Sequence, residues 1–190
     1  HAAALSFALG WLEGDGSVAI NGAVNKLRLH GTKAEIVVVL KALRRTLAWQ
    51  QKKESHDTEE YVTERSMDLR EAVSLCAAGA FRFSMNRVRL LYGVARASHK
   101  LLRLYKRWPR QWFRQHDAAT IGVGGLNFMV HHSSFLHYNA RTGYQLTEQA
   151  RAVCKAVLKL RPEMKTLRQL SPPEGQGKTG RKGVPYPIEA

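Results

Sequence analysis

The first apolar stretch of the chain predicts a helix with an unusual end. Apolar residues run from Phe7 to Leu12, and the stretch closes on the sequence Glu-Gly-Asp-Gly at 13–16 before an alternating segment begins. The C-terminus of a helix carries partial negative charge, so acidic side chains there are repelled unless a cation compensates. A hard divalent cation such as Mg²⁺ prefers carboxylate and carbonyl oxygens, which makes Asp15, and more weakly Glu13, candidate metal ligands.

Two glycines of this helix, Gly10 and Gly14, lie four residues apart and therefore on one face. Because neither has a side chain, a second helix can approach that face closely. The alternative is a buried helix followed by a hairpin, in which Asp15 only forms a turn.

The next patterns predict two hairpins separated by a helix. In the first hairpin, at 18–29, apolar and polar residues alternate. Its apolar face consists of Val18, Ile20, Leu27 and Leu29, and its polar face consists of Lys26, Arg28 and His30. The helix, at 33–49, follows from the apolar spacing of Ile36, Val37, Leu40, Leu43 and Leu47. The second hairpin, at 50–69, includes an acidic turn at 57–60.

The segment between Glu71 and Asp117 is the strongest electrostatic feature of the sequence. It contains no acidic residue and ten basic ones, which are Arg82, Arg87, Arg89, Arg96, Lys100, Arg103, Lys106, Arg107, Arg110 and Arg114. A helix is predicted at 86–105, with arginines recurring every seven residues on one stripe. Such a stripe can contact successive phosphates, and the alternative is a solvated face of an amphipathic helix. Trp108, Trp112 and Phe113 either stack on unpaired bases or close the core.

Composition narrows the class of partner. The net charge is +15 and the sequence pI is about 10.3, which favours a polyanion, with nucleic acid as the first candidate. No run of eighteen apolar residues occurs, so we expect no membrane span. Cys76 and Cys154 are too few for a disulfide framework or a zinc site, and we expect both to be core thiols in a reducing compartment.

Residues 8–17, reading ALGWLEGDGS, resemble the signature helix of the LAGLIDADG homing endonucleases. The resemblance implies that two such helices pack side by side, each presenting one acidic residue to Mg²⁺ at the scissile phosphates. Asp15 would be that residue, and Gly10 and Gly14 would be the helix contacts. The implied fold is α+β, a repeat of the order α-ββ-α-ββ-α whose sheet straddles the nucleic acid groove.

A second resemblance lies near the C-terminus. The sequence GYQLTE at 143–148 is similar to the start of the helix that closes many LAGLIDADG proteins, and Thr147 has the right chemistry to cap it. The apolar residues of this helix would be Ala152, Val153, Val157, Leu160 and Met164. Because only one signature helix is visible, the second must come from another copy, another chain or missing sequence.

The chain is thus expected to contain a LAGLIDADG-like repeat at 1–116, an extension with the closing helix at 117–170 and a flexible basic tail at 171–190. The tail is rich in Gly and Pro and carries Lys178, Arg181 and Lys182 as further nucleic-acid contacts. Between the repeat and the closing helix, residues 117–138 predict a loop or short hairpin. His131 and His132 would face opposite sides of an extended segment there and could not ligate one metal together.

Two functions follow from these features. The first is a structural protein that binds RNA, with ribosomal RNA favoured, beside ribosomal proteins in a mitochondrial ribosome or related ribonucleoprotein. The second is a dimeric, metal-dependent endonuclease that cleaves double-stranded DNA. The sequence has 18 Arg against 12 Lys and only four Ile, which suggests a nuclear gene. It also lacks an initiator Met, and together these features suggest a protein imported into mitochondria or chloroplasts. Residues 81–89 contain no Lys, although the resembled enzymes rely on a basic residue there to polarise water, and Arg is a poor proton shuttle.

Overall fold

A computed structural model describes residues 2–21, 24–47, 55–57 and 62–167. The helices and strands of these residues follow one another as α1 (Ala2–Asp15), β1 (Gly16–Asn21), β2 (Val24–His30), α2 (Lys33–Leu47), β3 (Ser55–Asp57), β4 (Val62–Met67), α3 (Leu69–Ala77), α4 (Met85–Arg107), α5 (Gln115–Thr120), α6 (Leu126–His131), β5 (Leu136–Asn139), β6 (Gly143–Leu146) and α7 (Glu148–Leu167). The fold class is therefore α+β, as predicted.

The larger sheet is antiparallel throughout and has the strand order β1-β2-β4-β3. Leu29 pairs with Gly16 on one side, and Leu27 pairs with Arg65 on the other. Alternation divides the sheet into two faces, because successive side chains of a strand point to opposite sides. Val18, Leu27 and Leu29 are buried as predicted, whereas Arg28 and His30 are exposed.

The helices α1 and α4 contact β1 and β2, and α7 packs against α3 and α4. The buried apolar residues form one cluster that extends from Ala8 in α1 to Met164 in α7. Cys76 and Cys154 lie in it as buried free thiols, as expected. Among the residues described, no helix has both the length and the apolar character needed to cross a membrane.

Local signals set several of the element boundaries. Thr147 caps α7 as predicted, because its Oγ1 accepts a hydrogen bond of 3.1 Å from the backbone N–H of Ala150. At α3, Asp68 and Glu71 form a reciprocal capping box, with hydrogen bonds of 2.9 Å in each direction. Glu71 also forms a buried ion pair of 2.5 Å with Arg65, which joins α3 to β4.

Two assignments of core positions were wrong. Val37 was expected in the core of α2 but is 54% exposed, and Val39 is buried instead. In α7, Ala152 is exposed while its neighbour Val153 is buried. In α2 the buried stripe thus takes Val39, which was not predicted, instead of Val37, whereas in α7 it takes Val153 as predicted and leaves Ala152 outside.

The prediction of a loop or hairpin at 117–138 was also wrong. The segment holds α5 and α6, with His131 as the last residue of α6 and His132 just after it. Short-range bonds start these helices: the side chain of Asp117 accepts a hydrogen bond of 2.7 Å from the N–H of Arg114. Gly125, with φ of 77°, adopts the left-handed conformation immediately before α6. Of the acidic turn predicted at 57–60, residue 57 ends β3 and residues 58–60 lie outside the described residues. Positions 48 and 49 of the helix predicted at 33–49 also lie outside them.

Candidate nucleic-acid interface

The helix α4 divides its residues between the core and a positively charged face. Its buried apolar positions lie at helical spacing along one stripe and include Val88, Leu90, Leu91, Val94, Ala95, Leu101 and Leu104. The positions outside that stripe face the surface. Arginine and lysine occupy most of the fully exposed positions, which are Arg89, Arg96, Lys100, Lys106 and Arg107, and Arg103 is half-buried.

Three of these cations line one cleft at the C-terminal end of α4. Arg103, Lys106 and Arg107 lie opposite residues 120–122, at the C-terminal end of α5, around a space of about 620 Å³. No carboxylate is present among the described residues that line it. Gly122 is needed there because its φ is 69° and a Cβ would lie 3.0 Å from Nη1 of Arg103. The cleft can hold phosphate groups, which a guanidinium binds through two parallel hydrogen bonds.

Arg110 and Arg114 continue the basic surface beyond α4, and both are exposed. Nη2 of Arg114 donates a hydrogen bond of 3.0 Å to the carbonyl oxygen of Arg141, so this side chain is partly engaged. The aromatic residues of this segment were expected either to close the core or to stack on unpaired bases, and they differ in their exposure. Phe113 is buried and stacks on Trp108 with 4.9 Å between the ring centroids, whereas Trp112 is 40% exposed.

The prediction that Arg87 contacts nucleic acid was wrong. Its guanidinium is buried and forms a bidentate ion pair with Glu163 of α7, at 2.7 and 2.8 Å. Nη1 donates to the carbonyl oxygens of Cys76 and Ala80, at 2.9 and 3.1 Å. Helical spacing could have revealed this, because Arg87 precedes Leu91 by four residues on the buried stripe of α4.

Lys26 and Arg28 lie on the polar face of the sheet as predicted, but both are paired. They form hydrogen-bonded ion pairs with Glu64 of the neighbouring strand, the second at 2.6 Å. Hydrogen bonds from Lys26 and then from Arg28 lower the pKa of Glu64 below its usual value. The one carboxylate therefore offsets part of the positive charge that this face can offer to a phosphate.

Arg82 lies beside a second basic groove, formed by the α3–α4 connection and α7. Lys155 and Lys159, one turn apart on α7, also line this groove, although they are not among the contacts predicted from the sequence. Their spacing of four residues could have indicated that the two lysines lie on the same face of the helix. Glu163 also lines the groove, but it is paired with Arg87.

The acidic end of α1 is attached to the start of α4. Glu13 accepts a hydrogen bond of 3.1 Å from the N–H of Phe83, whereas Asp15 is exposed. Asn86 holds the first strand in place, since its Oδ1 accepts from the N–H of Val18 at 3.1 Å and its Nδ2 donates to the carbonyl of Gly16 at 3.2 Å. The carboxylate of Asp15 thus stands at a fixed junction between helix and strand.

Gly10 and Gly14 are exposed on α1. A Cβ placed on either glycine would meet no atom of the described chain within 4 Å. The described residues also include no group of three or more His, Cys, Asp or Glu side chains that could hold a metal. The described residues alone would therefore not complete the ligand shell of a Mg²⁺ ion at Asp15, and phosphates, water or a second molecule would have to supply further ligands.

The predicted contacts thus fall into four groups. Most are surface cations of α4 and of the segment that follows it, Arg82 lines a second groove, Lys26 and Arg28 are paired on the sheet, and Arg87 is internal. Lys178, Arg181 and Lys182 lie outside the described residues. No protein-family model, curated protein or solved structure matches this chain.

Proposed function

We propose that this protein binds RNA through the exposed cations of α4 and serves as a structural component of an organellar ribonucleoprotein, most simply a mitochondrial ribosome. The observation that carries the proposal is the cleft formed by Arg103, Lys106 and Arg107, which concentrates three cations with no carboxylate among its described lining residues. Phosphates are the common polyanionic groups whose size and charge suit such a cleft.

The fold proposed for this function is that of a LAGLIDADG-type repeat. The order of α1, β1, β2, α2, β3, β4 and α3 agrees with the α-ββ-α-ββ-α order that the signature sequence implies. The glycine face of α1, which no described residue covers, supports a partner helix, from a second copy or another protein. Assembly with ribosomal proteins and the organellar location belong to this proposal, supported by the arginine-rich, isoleucine-poor composition.

Salt dependence of RNA binding tests the function directly. Affinity of the full chain for a structured RNA fragment, measured by fluorescence anisotropy, should fall linearly on a logarithmic salt scale. Each phosphate contact contributes about 0.7–0.9 to the slope. The triple variant Arg103→Gln, Lys106→Gln and Arg107→Gln should therefore lower the slope by roughly 2–3.

A charge-matched control separates a local contact from a general loss of charge. Lys33, Lys41 and Lys165 are exposed on α2 and α7 and are not among the residues that line the cleft, and their replacement by Gln removes the same number of charges. This control variant should retain the slope of the unmodified protein. Affinity that does not respond to salt, or equal losses in both variants, would contradict the proposal.

The second candidate function is a metal-dependent DNA endonuclease, favoured by one observation. Asp15 is exposed at the end of α1, beside a glycine face open to a partner helix. With Mg²⁺ bound between two such carboxylates, the metal would polarise a phosphate and activate water. Incubation of the protein with Mg²⁺ and a library of double-stranded DNA tests this; we expect no cleavage. Cleavage that Asp15→Asn abolishes, with DNA binding intact, would establish the endonuclease instead.

A further inference from the structure

A separate cavity lies beside the cationic face of α4, between that helix, the start of α3 and α6. Its volume is about 540 Å³, within the range of roughly 300–1,000 Å³ that small-molecule sites occupy. Met67, Leu101 and Phe135 line it and are buried, so part of its wall is apolar. Arg96 and Lys100, both exposed, line it from α4. The cavity therefore combines an apolar interior with positive charge at the surface.

Two aromatic rings also line this cavity. Phe128 and His132, four residues apart, stack with 4.7 Å between their ring centroids and an interplanar angle of 28°. Phe128 is 64% exposed, although burial of a phenylalanine is strongly favourable. Single-stranded nucleic acids are commonly bound by aromatic rings next to cations, because each base has a flat face that stacks and each nucleotide has a phosphate.

The other ionisable groups of the cavity are compatible with an anionic, aromatic ligand. Asp68 is the one carboxylate among its described lining residues, and it accepts hydrogen bonds of 2.9 Å from the N–H of Glu71 and from Arg70. Burial, followed by the nearby charges of Arg103 and Lys100, lowers the pKa of His99. A neutral imidazole can donate one hydrogen bond and accept another, as recognition of a base edge requires.

We propose that this cavity receives one unpaired nucleotide of the bound RNA, with the base stacked on Phe128 and the phosphate held by Arg96 and Lys100. The inference rests on the proposed RNA-binding function and adds a site that distinguishes an extruded base from a paired one. The cleft at Arg103 binds only backbone and provides no such distinction.

The experiment compares RNA hairpins that differ at one position. One hairpin carries a bulged adenosine, the second carries an abasic nucleotide at the same bulge, and the third is fully paired. With the full chain, stacking of the base should give the first hairpin an affinity on the order of tenfold above that of the second. Phe128→Ala should abolish this difference and leave the affinity for the abasic hairpin unchanged.

Two further variants control for structural damage. Phe128→Tyr keeps a ring that can stack and should preserve the discrimination. Phe83 is 87% exposed and lies outside the cavity, so Phe83→Ala should also preserve it. Equal binding of the bulged and abasic hairpins by the unmodified protein would overturn the proposal while leaving the RNA-binding function intact. Binding of none of the hairpins would instead overturn the RNA-binding function itself.

A final arm asks whether the ligand is a free nucleotide. AMP is titrated into the full chain by calorimetry, and binding should be much weaker than that of the bulged hairpin. Tight binding of AMP that Phe128→Ala removes, combined with no discrimination among the hairpins, would show that the cavity serves a free nucleotide and would overturn the proposal.

Discussion

Replacement of Arg87 by Met should destabilise the protein without weakening its binding to RNA. The guanidinium makes four hydrogen bonds, two to Glu163 and two to the carbonyl oxygens of Cys76 and Ala80. Met retains much of the length and apolar volume of the side chain but none of these donors. The variant therefore isolates the contribution of the polar contacts that join α4 to α3 and α7.

The expected loss of stability depends on whether each acceptor that Arg87 serves finds another hydrogen-bond partner in the variant. The carbonyl of Cys76 keeps a hydrogen bond from the N–H of Gly79, whereas that of Ala80 loses the contact from Arg87. An unsatisfied buried acceptor costs about 1–3 kcal/mol. Glu163 is 40% exposed and regains water, so its cost stays below the roughly 3–5 kcal/mol of a fully buried broken pair. The sum is about 2–4 kcal/mol, or a decrease in Tm of roughly 5–15 °C for a chain of this size.

Thermal and urea unfolding would measure the stability, and anisotropy below the new Tm would measure RNA affinity. Arg89→Met is the matched control, because Arg89 lies two residues further on and is exposed. It should leave Tm nearly unchanged, as surface substitutions usually do, and reduce both affinity and salt slope. If Arg87→Met kept its Tm and lost RNA affinity, the internal role of Arg87 would be refuted.

Three further predictions concern assembly, pH and thiol reactivity. Gly14→Leu should leave the stability of the isolated chain unchanged or raise it by up to about 1 kcal/mol. The same substitution should weaken assembly, measured by analytical ultracentrifugation, by about 1–3 kcal/mol. Unchanged assembly would argue against a partner helix. The pKa of Glu64 is lowered in the folded protein, so its ion pairs stabilise the fold fully at pH values above its ordinary pKa of 4.5. This stabilisation is lost as the pH falls through the lower pKa of the folded state. In urea melts, the difference in stability between the unmodified protein and Glu64→Gln should therefore shrink in acid. Burial raises the pKa of Cys76 and Cys154 to about 12, so iodoacetamide should label these thiols at neutral pH only after the protein unfolds. Labelling of the folded protein, detected by mass spectrometry, would contradict the burial of the two cysteines.

Elements with a strong periodic pattern could be predicted from the sequence. The hairpin of β1 and β2 follows from strict alternation, and the cap of α7 follows from one hydroxyl placed before an apolar helix. The core position of Val39 could not be predicted in the same way. Val37, Val38 and Val39 are equally apolar, so composition alone does not show which of them faces the core.

The paired charges were harder to predict because their partners are distant in sequence. Glu163 lies 76 residues after Arg87, and Glu64 lies 36 residues after Arg28. A count of charges treats all basic residues alike, whereas the fold assigns some of them to carboxylates. The cavity at Phe128 was missed for a related reason: α6 has six residues, too few for a helical pattern to stand out.

The arginines of α4 are spaced along a long helix, and their mutual repulsion makes the stability of the fold depend on salt concentration. Its 23 residues extend for about 35 Å, and Arg89, Arg96 and Arg103 follow one another at intervals of about 10 Å. The Debye length is about 8 Å at physiological ionic strength but about 30 Å at 0.01 M, so dilute buffer leaves these charges to repel one another along the whole helix. Added salt should therefore stabilise the free protein over the same range in which it releases RNA. The fold and the complex respond to ionic strength in opposite directions.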